Sequence, residues 1–285
     1  MNRRFLRSAS ALPVLFAGPA VAADMALKAP PPPTVFSWTG FYVGLNAGGT
    51  WARSGADTSE NCNVPGGAPA FPYFCENGSA ANAAAVNAAG SGTITASGFI
   101  GGIQAGYNWQ GPNLIYGLET DFDSFHLRGS RQGTGTYPVG INVVPAGAPF
   151  AIDSSFNTDW LYTLRGRIGV PVSSNLMAYA TGGLALTRLG VSNSFSDNIV
   201  PNAAFNGAGT ANGSETKAGW VVGGGMEYAL VKNWSVKAEY LFMKFGKVTA
   251  TGTIFNPTGP GYVQGISNSS DLTAQVARLG VNYKF

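Results

Sequence analysis

Eight stretches of this chain repeat one pattern with a period of two, which constrains its fold more than any single motif. In Phe41 to Trp51, Phe41, Val43 and Leu45 are large and apolar, whereas Tyr42, Gly44, Asn46, Gly48 and Thr50 are mostly small or polar. The alternation returns at Gly98 to Gln110, where Phe99, Ile103, Ala105, Tyr107 and Trp109 oppose Gly102, Gln104, Gly106 and Asn108. At Asn113 to Asp123, Leu114, Tyr116, Leu118 and Phe122 oppose Gly117, Glu119, Asp121 and Asp123. At Asp159 to Val170, Trp160, Tyr162, Leu164, Ile168 and Val170 oppose Thr163, Arg165, Arg167 and Gly169. Leu176 to Leu189 is apolar on both faces around Gly182 and Gly183, which leaves its register open. Lys217 to Leu230 sets Trp220, Val222, Met226 and Tyr228 against Gly223, Gly225 and Glu227. Trp234 to Met243 sets Val236, Ala238, Tyr240 and Phe242 against Lys237 and Glu239, and Leu272 to Phe285 sets Leu279, Val281, Tyr283 and Phe285 against Arg278, Gly280, Asn282 and Lys284.

Which solvent meets the apolar face follows from the charges. Only 11% of residues are charged, less than half of the roughly 25% usual in globular domains. The charged faces are sparse, interleaved with glycine and mixed in sign, which suits a narrow lumen. Trp38, Trp51, Trp109, Tyr116, Trp160, Trp234 and Tyr283 lie near strand ends, as in the aromatic girdles of a membrane barrel. No uninterrupted apolar run after the N-terminus is long enough for a helical span, so strands must make any crossing. Connections alternate between short ones carrying Gly111 and Pro112, Pro171 and Asn175, or Lys232 and Asn233, and long irregular ones at about 52–97, 124–158, 190–216 and 244–271. The expected fold is all-β: an eight-stranded antiparallel up-and-down transmembrane β-barrel with four long extracellular loops and short periplasmic turns.

The N-terminus supplies an export signal. Arg3, Arg4 and Arg7 precede the apolar stretch Ala9 to Ala17, and Val21, Ala22 and Ala23 form a small-residue cleavage site. The expected organisation is a signal peptide over 1–23 cleaved near Ala23, a Pro-rich periplasmic linker over 24–37, and an outer-membrane barrel over 38–285. No peptidoglycan-binding domain is expected after the barrel. Three of the 17 basic residues and none of the 14 acidic ones precede the cleavage site, so the mature chain is formally neutral, and no nucleic-acid partner is expected.

The alternation aims Glu119, Asp121, Arg165, Arg167, Glu227, Lys237, Glu239 and Arg278 inward, where they are expected to form an ion-pair network, with Glu119 and Arg165 at similar depth. Cys62 and Cys75, the only cysteines, fall in the first long loop of an exported protein, so a disulfide is expected. The only histidine, His126, lies just past Asp121 and Asp123. A surface His–carboxylate pair is conceivable there, but no activated nucleophile or oxyanion site accompanies it, and a solvated rim residue explains it better. One histidine makes no metal site. Gly223 to Gly225 lies inside a strand and lacks the Lys and Ser/Thr of a phosphate loop, so close packing accounts for it. Neither catalytic nor cofactor-binding residues are expected.

The Pro-rich KAPPPP, the first strand region FSWTGFYVGLNAGGTW, the glycine strands GFIGGIQAGYNW and YATGGLAL, and the end ARLGVNYKF resemble the small outer-membrane β-barrel proteins of rhizobia and brucellae, the outer-membrane immunogenic or porin-like proteins. The resemblance covers essentially the whole chain, with departures confined to the loops. It implies a barrel of the OmpA-like kind with roles in envelope integrity or surface contact and no catalytic residues to carry over. The partners implied are outer-membrane lipid and lipopolysaccharide, the outer-membrane assembly machinery, and a host or surface ligand. The terminal aromatics Tyr283 and Phe285 resemble the signal read by that machinery. Two competing readings are a porin-like small-solute channel and a surface binder of haem or a host ligand through the loops.

Overall fold

The computed structural model describes residues 36–61, 80–141, 144–200, 203–256 and 262–285. The signal peptide, all but the last two residues of the linker, and both cysteines lie outside the described residues. Eight strands close into one barrel in sequence order: β1 (Gly40–Asn61), β2 (Gly92–Gln110), β3 (Ile115–Thr136), β4 (Pro149–Pro171), β5 (Leu176–Asp197), β6 (Ala208–Ala229), β7 (Trp234–Phe255) and β8 (Val263–Lys284). Every neighbouring pair is antiparallel, and β1 closes the ring against β8 from Tyr42↔Lys284 to Asn61↔Gly265. One α-helix, α1 (Ala80–Gly90), precedes β2. Among the described residues no helix is long and apolar enough to cross a membrane.

The strands run far past the ends expected from sequence. Each has 19 to 23 residues, whereas a tilted strand needs only about 9–11 to cross a bilayer. The connections at the far end are accordingly 62–91, which contains α1, then 137–148, 198–207 and 256–262. Most of what reads as irregular loop is strand. At the opposite end, 111–114, 172–175 and 230–233 join neighbouring strands as the turn residues lead one to expect.

The reason is an inversion of chemistry along each strand. On β1 the outward face begins with Phe41, Val43 and Leu45, the last 65% exposed, and ends its apolar run at Trp51; beyond that it carries Arg53, Asp57 and Ser59. The inward face changes less sharply, from Asn46 and Thr50 to Ala52 and Ala56 alternating with the small hydroxyls of Ser54 and Thr58. The same happens around the ring. Above the level of Trp51, the interior is an apolar core containing Ile94, Ile100, Phe125, Leu127, Ile152, Phe156, Leu189, Phe195, Val248 and Ile266. The eleven residues from Phe41 to Trp51 match one bilayer crossing. The upper barrel is organised like a soluble one, polar outside and apolar within.

α1 closes the upper end. Asn82, Ala83, Val86 and Gly90 are buried. Asn82 exchanges two hydrogen bonds with the Val139 backbone, donating to its carbonyl and accepting from its N–H. Arg131 donates to the Ala89 carbonyl at 2.7 Å, satisfying one of the groups a helix C-terminus leaves open. A Cβ on Gly133 would overlap that same carbonyl oxygen, so glycine is required for the helix to seat.

Candidate functional site: the charged lumen

Inside the membrane-level half, alternate residues of β1 to β8 project toward one axis. Arg165 on β4 is directly opposite Glu119 on β3 in the register. Its guanidinium lies 2.5 Å from Glu119, 2.7 Å from Asp121 and 2.9 Å from Glu239 on β7. Arg167 reaches Glu227 at 2.8 Å and Glu119 at 3.4 Å. Lys237 sits 2.8 Å from Glu119 and 3.9 Å from Glu239, while Arg278 joins Asp121 at 3.2 Å and Glu239 at 2.7 Å. All eight residues singled out from sequence are buried and meet in one cluster.

The cluster has members beyond those eight. Asp123 accepts from Arg278 at 3.0 Å. Tyr42 donates to Glu119 at 2.6 Å and accepts from Arg167 at 2.9 Å, while Tyr179 donates to Glu239 at 3.0 Å. Arg167 also stacks 4.1 Å from the centroid of the Tyr179 ring. Thr163 donates to Asp121, and Ser235 and Asn282 donate to Glu227. Their inward parity is the signal that identifies them: Tyr42 shares a face with Asn46, and Tyr179 falls on the odd positions of β5, whose register the sequence left open and which point inward from Met177 to Leu189. Four cations, Arg165, Arg167, Lys237 and Arg278, thus face five carboxylates, leaving one formal negative charge in excess.

The lumen is capped at its short-turn end by Trp38. Sequence spacing placed Trp38 in a lipid-facing girdle; instead it is only 2% exposed and packs with Ile115, Met177, Tyr179 and Ala229. Its backbone N–H donates to Gln110 Oε1 at 2.7 Å, folding the segment before β1 across the opening. Apolar burial near an otherwise charged floor explains the departure, since the lipid-facing places there are already filled by Phe41, Trp109, Tyr116, Trp234 and Phe285.

Residues 19–285 match the family model described as outer membrane protein beta-barrel domain. The chain belongs to this outer-membrane barrel family. It is 32% identical over 297 residues to the 31 kDa outer-membrane immunogenic protein of Brucella melitensis, covering 97% of this chain and 98% of the relative. It is 23% identical over 284 residues to the 25 kDa outer-membrane immunogenic protein of Brucella abortus, covering 98% and 95%. Among solved structures, the outer membrane protein OprG of Pseudomonas aeruginosa aligns at 10% identity with a TM-score of 0.38, covering 87% of this chain and 97% of that one.

For an outer-membrane barrel the outward face is the lipid face, and its aromatics form two levels. Trp109 stacks on Tyr116 at 5.6 Å and Trp234 meets Tyr283 edge-on at 5.1 Å near the short turns. Phe122 stacks on Trp160 at 6.1 Å and Trp220 meets Phe242 at 5.5 Å at the other level. Tyr283 and Phe285 pack edge to face at 5.2 Å, and the Phe285 N–H donates to the Phe41 carbonyl, tying the C-terminus to β1. His126 is separated from Asp121 and Asp123: they point into the lumen, whereas its ring lies on the outer face of β3 with Nδ1 2.8 Å from Ser124 Oγ. Among the described residues, no group of three or more His, Cys, Asp and Glu is arranged to hold a metal ion.

Proposed function

We propose that this outer-membrane barrel is a structural, non-conducting element of the envelope that raises a contact surface above the membrane. One observation carries the reading: four cations and five carboxylates bridge the lumen wall to wall at bilayer depth, and an apolar core fills the barrel above them. Water-filled porins use about 16–18 strands, and an eight-stranded wall leaves an interior that side chains fill. Because each guanidinium and every carboxylate oxygen of the cluster except Asp123 Oδ1 is already hydrogen-bonded within the barrel, an ion entering would have to displace a bonded pair rather than a water. The reading involves no catalytic step and no cofactor.

The surface-contact half of the proposal rests on the upper barrel, which holds α1 and the upper ends of the eight strands well beyond the apolar belt, on the side that faces out of the cell in barrels of this topology. Tyr283 and Phe285 are read as the terminus presented to the assembly machinery. Planar-bilayer recording on the refolded full chain tests the closed lumen: a flat baseline is expected, and stable unitary conductance would overturn the non-conducting reading in favour of a small-solute channel. Retention of haem or a host ligand by the wild type, and its loss on shortening the upper connections, would assign the contact surface to a specific binder.

A further inference from the structure

The structure points to a headgroup site for a phosphorylated outer-leaflet glycolipid on the outer wall of β1, β2, β8 and β7. A depression of about 500 Å³ opens there, lined by Trp51, Arg53, Thr95, Ser97, Thr273 and Gln275. Its floor is backbone, because Trp51 pairs with Ser97 on one side and Gln275 on the other, while Arg53 pairs with Thr95 and Thr273. Lys244 on β7 is the next residue in that row, opposite Thr273. Arg53 and Lys244 therefore stand two strand spacings apart, about 10 Å, with only the short Thr273 side chain between them.

The level of the site fixes the source of the ligand. Below it the outward face of β1 is Phe41, Val43 and Leu45, which meet acyl chains; above it Gly55 and Asp57 meet water. Trp51, 52% exposed, marks the boundary itself. The start of β1, Phe285 and the short turns lie at the other end, so this boundary belongs to the outer leaflet.

The chemistry fixes the ligand class. Arg53 and Lys244 have no ion-pair partner among the described residues. The nearest outward carboxylate along β8, Asp271, is engaged by the Gly55 N–H at 3.0 Å. Two free cations beside an exposed indole and a row of hydroxyl and amide groups match a phosphate on a sugar: guanidinium and ammonium take the phosphate, the ring covers the apolar face of the sugar, and Thr95, Ser97 and Thr273 bond its hydroxyls. A phosphodiester headgroup without a sugar would use the cations alone. The inference depends on membrane orientation and not on the sealed lumen, so a conducting barrel would leave it standing.

The test uses the full chain in nanodiscs of neutral phospholipid, titrated with a bisphosphorylated diglucosamine lipid, its dephosphorylated form, phosphatidylglycerol and inorganic phosphate. The wild type is expected to bind the phosphorylated glycolipid roughly tenfold or more tighter than the dephosphorylated form, and R53A/K244A to lose that preference. Trp51→Ala is expected to weaken the glycolipid while leaving phosphatidylglycerol unchanged. All three side chains face outward, so an unchanged heat-shift in electrophoresis certifies the barrel in each variant. Equal binding of the two glycolipids by the wild type, undiminished preference in R53A/K244A, phosphatidylglycerol binding as tight as the glycolipid, or full displacement by inorganic phosphate would each overturn the assignment.

Discussion

Replacing Arg165 by Met tests whether the lumen acts as one network. Arg165 bonds to Glu119, Asp121 and Glu239 at 2.5, 2.7 and 2.9 Å, all of them buried. After its loss Asp121 and Glu239 keep Arg278, and Glu119 keeps Lys237, but the charge balance moves from four cations against five carboxylates to three against five. Removing one member of a buried pair costs about 3–5 kcal/mol where the partner is stranded; with partial compensation retained, Arg165→Met falls near the lower figure. Glu119→Gln shifts the balance the other way, to four against four, and deprives Tyr42, Arg165 and Lys237 of an ionised acceptor, a loss of roughly 2 kcal/mol. The double variant restores the single excess negative charge. Its loss should be smaller than the sum of the two by about 1–2 kcal/mol, a coupling typical of residues sharing a network. Urea unfolding of the refolded protein in vesicles, with the slope checked for constancy across variants, measures all three. Losses that add within about 0.5 kcal/mol would show the charges to be uncoupled, merely solvated in place, and the sealed-lumen reasoning wrong at its centre.

Three further outcomes are expected. Cys62 and Cys75 should be joined in an oxidising compartment, adding about 3 kcal/mol at most to the order of their loop; two reactive thiols per chain in a non-reduced membrane assay would exclude the bond. Gly133→Val should unseat α1, costing about 1–3 kcal/mol locally and raising hydrogen exchange from Ala83 to Gly90 while the membrane-level strands stay protected. Burial without a hydrogen-bond partner pushes the Glu60 carboxyl, in the upper barrel, to about 8 from 4.5. Because the folded form holds its proton more tightly, local stability is greatest below the unfolded value and falls as pH rises from about 4.5 to about 8. Glu60→Gln should remove that dependence, read by exchange at the Thr58 and Glu60 amides, which donate to Ser91 Oγ and Asn87 Oδ1; an unchanged pH profile would contradict the burial argument.

The membrane-level barrel was legible because its two faces differ strongly. Glycines and charges on one side and Phe, Leu, Ile and Trp on the other yield an unmistakable period of two, and with it the strand count, the short turns and the eight lumen charges. β5 was ambiguous for a physical reason: Ala178, Ala180, Gly182 and Leu184 meet lipid, while Met177, Tyr179 and Ala185 fill the interior, so both faces read as apolar. Trp38 misled because spacing gives proximity to a strand end without saying whether the chain folds over the rim or along it. α1 is legible in principle, since AANAAAVNAAG is rich in alanine, the best helix former, but it falls within a long connection rich in Gly, Ser, Asn and Ala that reads as loop.

The upper barrel was hidden by the way its apolar positions change face. On β3 apolar residues move from even positions, Tyr116, Leu118 and Phe122, to odd ones, Phe125 and Leu127, because lipid lies outside the lower wall and the core lies inside the upper one. The register of β3 against β4 shifts between Ser124 and Leu127, yet odd residues of β3 face inward on both sides of the shift, so the sequence pattern itself must break, and the break reads as the end of the strand. β4 and β7 show the complementary case. In β4 the large apolar residues stay on even numbers from Phe150, Ile152 and Phe156 through Tyr162, Leu164 and Ile168, yet the first three are buried and the last three face lipid. The register slips by one residue between Thr158 and Leu161, and that single extra residue exchanges the faces. In β7 a slip between Phe245 and Val248 turns Val248, Ala250 and Ile254 inward while Val236, Ala238 and Tyr240, of the same parity, remain outside. Both bulges fall just above the outer aromatic level, beside Trp160 and Phe242. A strand that passes from lipid to water must invert either its sequence pattern or its backbone phase, and this barrel uses the first on β1, β2, β3, β5 and β8 and the second on β4 and β7.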